Sequence, residues 1–197
     1  MSLLIRSGLV LTMNDRFDVL SGDVSIKDGR IAAIGSQIDE PHDRVVNARG
    51  GYVLPGLVQT HVHLCQTLFR GFADDLPLMD WLRTRVWPME AAHTPATLRA
   101  ATRLATTELL SSGTTAVLTM ETVHDTDVVF EAVAESGLRA TIGKCMMDFD
   151  AQVPKRLQEE TRASIDESVA IRARWDGAEQ GRLRAAFAPR FAVSCSR

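Results

Sequence analysis

The sequence predicts an α/β fold in which short amino-terminal strands are followed by alternating strands and helices. Two observations carry this prediction. Residues Asp23 to Gly35 alternate apolar and polar side chains around an Asp28-Gly29 turn, which is typical of a β-hairpin. From Thr94 onward, helical patterns alternate with short apolar runs, and this order favours parallel strands joined by right-handed crossovers.

Composition narrows the class of partner. The chain has 197 residues with 22 basic and 25 acidic side chains, a net charge of −3, which argues against a nucleic-acid binder. No apolar stretch approaches the ~20 residues of a membrane span, and the first six residues lack the pattern of a signal peptide. We therefore expect a small-molecule substrate, no nucleic-acid or membrane partner and a cytoplasmic location. The cysteines, Cys65, Cys145 and Cys195, are expected to be free thiols.

The histidines that end the first predicted strand of the alternating region are the main candidates for chemistry. An apolar run from Val53 to Val58, broken by Pro55-Gly56, predicts a buried strand that continues to His61 and His63. Because strand side chains alternate, these two imidazoles project from one face. Imidazole binds zinc, iron and nickel readily. On spacing alone, a divalent-metal site and a pair of hydrogen-bonded histidines both stay open.

The elements that follow are predicted from helical periodicity and glycine positions. Thr94 caps a helix to Ser112 with Pro95 at its first position, and Gly113 ends it. The remaining predicted elements, in order, are a strand from Thr114 to Leu118, a helix from Asp127 to Ser136, a strand from Leu138 to Lys144, a helix from Pro154 to Trp175 and a strand from Leu183 to Ala188.

Residues that end the predicted strands are further candidates, because the carboxyl ends of parallel strands meet at one edge of a sheet. They are Met120, Glu121, Lys144 and Arg190. Arg190 could donate two parallel hydrogen bonds to a carbonyl oxygen and a ring nitrogen of a purine or pteridine. The alternative for Arg190 is a salt bridge to a neighbouring carboxylate.

Several stretches together resemble a known family. The run LPGLVQTHVHL, residues 69–87 and Pro88-Met89-Glu90, then SGTT at 112–115 and APRFAVSCS at 188–196, are similar to the amidohydrolase superfamily. The likeness is to its branch of cytosine, guanine and adenosylhomocysteine deaminases and triazine chlorohydrolases. The resemblance covers the whole chain but only the N-terminal half of such a protein. It implies the N-terminal strands of a small β-sandwich at residues 1–54, and the first half of a (β/α)8 TIM-type barrel at 55–197.

The resemblance also implies an activity. In it, His61 and His63 hold a divalent metal, zinc first, with iron, nickel or manganese as alternatives, and the reaction is hydrolytic deamination of a purine-type base or nucleoside. It implies substrate contacts for Trp81, Glu90 and, more loosely, Arg156 and Lys144, with Glu90 accepting hydrogen bonds from ribose hydroxyls. Arg190 stands in a Pro-Arg-Phe pattern similar to guanine deaminases. Trp81 and Glu90 thus point to a nucleoside such as 5′-deoxyadenosine or adenosylhomocysteine, and Arg190 to a guanine-like base.

Two alternatives remain open from the sequence. A triazine-type chlorohydrolase, or another ring amidohydrolase, would use the same metal chemistry. A non-catalytic half-barrel is the other, because the family's remaining metal ligands and its glutamate proton shuttle lie on barrel strands that would come after Arg197. For the full-length form we expect a homo-oligomer.

Overall fold

The computed structural model describes residues 1–72, 74–149 and 152–196. Contacts divide the chain into two compact units, Met1–Gly56 and Leu57–Arg197, whereas the sequence suggested a boundary between residues 54 and 55. Among the described residues, no helix is both long and apolar enough to cross a membrane. Cys65, Cys145 and Cys195 are free cysteines, as predicted.

The first unit is a five-stranded mixed sheet. Its strands are β1 (Ser2–Leu11), β2 (Val19–Lys27), β3 (Arg30–Gly35), β4 (Arg44–Asn47) and β5 (Tyr52–Val53). Strands β1, β2 and β3 are antiparallel neighbours, while β4 and β5 both pair parallel to β1. The predicted hairpin is confirmed: Asp28 and Gly29 turn between β2 and β3 with φ of 50° and 73°, and glycine adopts such values without steric cost.

The second unit is a parallel sheet of four strands in sequence order. The strands are β6 (Leu57–Val62), β7 (Thr114–Met120), β8 (Arg139–Met146) and β9 (Leu183–Pro189). The helices are α1 (Leu78–Trp81), α2 (Trp87–Ala91), α3 (Pro95–Ser111), α4 (Thr126–Ser136) and α5 (Thr161–Trp175). A π-helical stretch, Leu82–Val86, joins α1 to α2, and 3₁₀ turns lie at Leu64–Phe69 and Lys155–Leu157.

The helix ends follow local chemistry. Thr94 caps α3 in a reciprocal pair with Thr97, and Gly137 ends α4 at a φ of 80°, so both predicted ends are confirmed. The predicted helix from Pro154 is wrong in its first turn. The backbone turns once as 3₁₀ and then extends, because the Glu160 carboxylate caps α5 by accepting from the Ala163 amide at 2.8 Å.

Two apolar clusters hold the second unit together. One packs the parallel sheet against α3, α4 and α5, with Val117, Phe130 and Ile142 in its centre. The other lies among the loops past the strand ends, around Trp87 and Met147. The predicted burial of Leu57 and Val58 is wrong: both are more than half exposed, because β6 is an outer strand of the described sheet.

Candidate active site

The two histidines lie together at the carboxyl end of β6. Their ring centroids are 5.3 Å apart with an interplanar angle of 80°. His63 Nδ1 lies 2.8 Å from the Met120 carbonyl oxygen, and a carbonyl only accepts, so Nδ1 carries the hydrogen and Nε2 keeps a free lone pair. Burial lowers the pKa of His63 below 6.5, which keeps this ring neutral at pH 7. No described residue forms a hydrogen bond with the His61 ring, which is exposed. Two imidazoles with available nitrogens fit two ligands of a divalent metal.

An open cleft of 380 Å³ brings His63 and Trp81 together. Trp81 ends α1 and is half-buried, and Gln66 and Phe69 from the 3₁₀ turn after His63 line the same cleft. The cleft therefore places an indole ring and an imidazole around one space, as the resemblance led us to expect for Trp81.

Glu90 and Arg190, which the sequence suggested as separate substrate contacts, bind each other. Arg190 Nη1 donates to Glu90 Oε2 at 2.5 Å, and Nη2 donates to Oε1 at 3.1 Å. Both side chains are only 2% exposed. Gln66 Nε2 also donates to Glu90 Oε1 at 2.7 Å and connects the pair to the cleft. The alternative interpretation of Arg190, a salt bridge to a carboxylate, is thus what the structure contains. A substrate role for either residue stays a prediction.

Arg190 keeps one polar atom without a protein partner. Its Nε is buried and bonds to no described residue. A buried guanidinium nitrogen without a partner is costly, so a ligand or water that accepts from Nε would stabilise this end of the site.

Arg156 lies apart from the cleft that contains His63. Its guanidinium is half-exposed, and Nη2 is 3.7 Å from Asp125 Oδ2. With Glu90, His93 and His124, it surrounds a space of only 10 Å³, about the size of one water molecule. The structure therefore brings Arg156 close to Glu90 rather than to the predicted metal ligands.

Lys144 is held away from any substrate. Its ammonium, 1% exposed, donates to Glu159 Oε1 at 2.6 Å and to the Cys145 carbonyl and Ser164 hydroxyl at 3.2 and 3.4 Å. Three contacts use all three of its hydrogens. The loose expectation of a substrate contact for Lys144 is therefore wrong. The same ammonium lies 3.6 Å from Glu167, so it already supplies a cation to the carboxylates there.

Glu121 belongs to the site more closely than its position at a strand end revealed. Its side chain is buried, and its two carboxyl oxygens accept from the backbone amides of Leu64 and Cys65, both at 3.0 Å. Those amides come directly after His63. Burial raises the pKa of Glu121 to about 7, against the opposing effect of hydrogen bonds from Thr119 and the two amides.

Comparison with known proteins agrees with this geometry. The model of the amidohydrolase family matches residues 52–197. A 5′-deoxyadenosine deaminase of Methanosarcina mazei is 36% identical over 98% of this chain and 43% of its own length. Among solved structures, a zinc-bound adenosine deaminase of Xanthomonas campestris is 32% identical with a TM-score of 0.82, over 95% of this chain and 42% of that one. Guanine deaminase of E. coli is 27% identical with a TM-score of 0.84, over 98% and 48%. The chain thus spans less than half the length of these relatives.

Proposed function

Because this chain belongs to the amidohydrolase family, we propose that it supplies two metal ligands and a substrate cleft to a metal-dependent hydrolytic deaminase of purine nucleosides or bases. The strand fold agrees, since four parallel strands with intervening helices are the first half of a TIM-type barrel. We also propose that these residues form the N-terminal half of the enzyme, because the chain spans 43% of the 5′-deoxyadenosine deaminase it matches. The complete enzyme would act in the cytoplasm on a small molecule, as a homo-oligomer.

The single observation that carries the proposal is the pair His61 and His63 at the edge of the cleft. The hydrogen bond from His63 Nδ1 to Met120 fixes the ring so that Nε2 is the ligand atom. We propose zinc as the metal, since the solved adenosine deaminase contains zinc; iron, nickel or manganese would suit imidazole as well. Such a metal would activate water for attack on the ring carbon that carries the amino group.

The residues around the metal would bind and orient the substrate. Trp81 offers an aromatic face to a purine ring in the cleft. Glu90 and Arg190 would act as one recognition unit, with Gln66 joining them to the cleft. Two relatives are deaminases of adenosine or 5′-deoxyadenosine, so an adenosine-type nucleoside is the first candidate substrate. The unpartnered Arg190 Nε favours a second candidate, a guanine-like base whose carbonyl oxygen accepts from it.

The test compares histidine variants of a polypeptide that contains residues 1–197. Zinc content and ammonia release from 5′-deoxyadenosine and guanine are measured for the wild type, His61→Ala and His63→Ala. His42→Ala is the matched control, because His42 is a half-buried histidine of the first unit that bonds Ser25 and is not a proposed ligand.

We expect both site variants to lose zinc and ammonia release, while His42→Ala retains both. Equal zinc content in all four proteins would contradict the proposed metal site. Ammonia from guanine but not from 5′-deoxyadenosine would favour the second substrate. Zinc binding by residues 1–197 alone should be weak, because two imidazoles are fewer than the three or four ligands of a protein zinc site.

A further inference from the structure

The tripeptide Thr119-Met120-Glu121 holds the backbone on both sides of His63. The Thr119 hydroxyl contacts the Val62 carbonyl at 2.9 Å, and the Met120 carbonyl accepts from His63 Nδ1. Glu121 accepts from the two amides that follow His63. The end of β7 therefore contacts four consecutive residues, 62 to 65, at the point where β6 ends and the ligand segment begins.

The hydrogen count in this group identifies the form of Glu121. Thr119 Oγ1 also forms a short contact with Glu121 Oε1, yet a hydroxyl carries one hydrogen. If that hydrogen goes to the Val62 carbonyl, which can only accept, the contact between Thr119 and Glu121 needs a hydrogen from the carboxyl group. A neutral carboxylic acid can donate to Thr119 and still accept from both amides. An ionised carboxylate would leave two acceptors to share the one Thr119 hydrogen.

Burial supports the neutral form. Glu121 is 1% exposed, and no lysine or arginine donates to it among the described residues. The Glu90 carboxylate, in contrast, is equally buried but has Arg190 as a bidentate partner. A buried carboxyl group without a cationic partner is more stable when protonated.

We propose that Glu121 is a positioning residue, a neutral carboxylic acid that fixes the backbone after His63 and thereby directs His63 Nε2 toward the metal. The part concerning the metal rests on the proposed function. The part concerning the backbone does not, because it follows from hydrogen bonds that exist without any metal. Glu121 itself would touch neither substrate nor metal.

The test uses Glu121→Gln and Glu121→Ala with Asp23→Asn as the matched control. Asp23 is also a buried carboxyl group that accepts from two backbone amides, those of Ser7 and Ile38 at 3.0 and 3.1 Å, but it lies in the first unit. Three quantities are measured: hydrogen exchange of the Leu64 and Cys65 amides by NMR, zinc affinity from a titration followed at His61 and His63, and the infrared band of a protonated carboxyl group.

We expect Glu121→Ala to speed exchange of the two amides by about tenfold or more and to weaken zinc binding by about 10- to 100-fold, the usual cost of losing a group that supports a metal ligand. Glu121→Gln should lose less, because its amide still donates to Thr119 and accepts from one backbone amide. Asp23→Asn should change neither quantity. The infrared band of the wild type at pH 6 should be missing from both Glu121 variants.

Three results would decide against parts of this account. Unchanged exchange and zinc affinity in Glu121→Ala would overturn the positioning role, and if that variant does not fold, the same result in Glu121→Gln would do so. A wild type without the infrared band would overturn the neutral acid. Faster exchange in the variants, together with no zinc binding by the wild type, would overturn the proposed metal site and leave the backbone role supported.

Discussion

The two units of the chain place their ion pairs differently. In the first unit, Lys27 pairs with Glu40 and Arg16 with Asp18, and the side chains in these pairs are 38% to 81% exposed. Among the described residues, the pairs in which both side chains are less than 10% exposed lie in the second unit. They are Arg190 with Glu90 and Lys144 with Glu159.

The location of the buried pairs explains the difference. Arg190 follows the end of β9, and Lys144 lies near the end of β8, so both cations come from the carboxyl edge of the parallel sheet. Burying charge costs solvation free energy that attraction between the partners repays only in part. Stability alone does not require such pairs. Their concentration at the edge where loops line the site in barrels of this kind indicates that they organise the site.

The largest effect is expected where a buried pair loses one partner. Arg190→Met leaves the Glu90 carboxylate buried without its cation, so the free energy of unfolding should fall by about 3–5 kcal/mol. Urea unfolding measures this change. Replacing both residues by methionine should recover most of the loss, because no isolated charge remains. Arg16→Met, the control from the exposed pairs, should have no measurable effect. A similarly small change in Arg190→Met would mean that Glu90 is hydrated or protonated in the folded chain.

A smaller effect is expected from pH, with opposite signs in the two units. The pKa of Glu121 rises from 4.5 to about 7 on folding, so the folded state binds the extra proton between these values. Its contribution is therefore full below pH 4.5 and is lost as the pH rises through 7, a loss of about 3 kcal/mol at 1.36 kcal/mol per pKa unit. Its titratable neighbour, the Cys65 thiol, has a pKa that burial raises well above 9.0 and stays neutral in this range.

The first unit supplies the contrast for this pH dependence. The Ser7 amide bond lowers the pKa of Asp23 below 3.8, so Asp23 contributes above that pH and its contribution is lost in acid. Unfolding free energies from pH 5 to 8 should fall for the wild type relative to Glu121→Gln. The wild type and Asp23→Asn should instead diverge below pH 4. Parallel curves for the wild type and Glu121→Gln would show that Glu121 titrates normally.

The smallest effect is expected from the exposed pairs of the first unit. Lys27→Met, Glu40→Gln and the double variant should unfold at temperatures that agree with the wild type within error, because water screens such pairs. A clear coupling between Lys27 and Glu40 in this cycle would remove the distinction between the units.

Much of the fold follows from local sequence. Thr94 with Pro95, the Asp28-Gly29 turn and Gly137 each act on backbone within a few residues, so their elements could be predicted. The exposure of Leu57 and Val58 could not, since it depends on the absence of a neighbour on one side of β6 in the described sheet rather than on their apolar character.

The site was predictable as a set of residues but not as a set of contacts. His61 and His63 are two residues apart on one strand, so their proximity follows from strand geometry. Glu90 and Arg190 are 100 residues apart, and their choice of each other depends on how β9 ends beside α2. Glu121 reaches the Leu64 amide across 57 residues. No periodicity in the sequence reports such distances, although its position at the end of β7 was a signal.

The π-helical stretch between α1 and α2 makes this site sensitive to chain length. An α-helix turns by about 100° per residue, and a π-helical turn accommodates one residue more than an α-helical turn. Deleting a single residue from Leu82–Val86 would restore the ordinary helix and rotate Glu90 by about 100° relative to Trp81. Glu90 would then turn away from Arg190 while Trp81 kept its place in the cleft. A one-residue gap here in a related sequence would therefore signal a different site, even where both residues are retained.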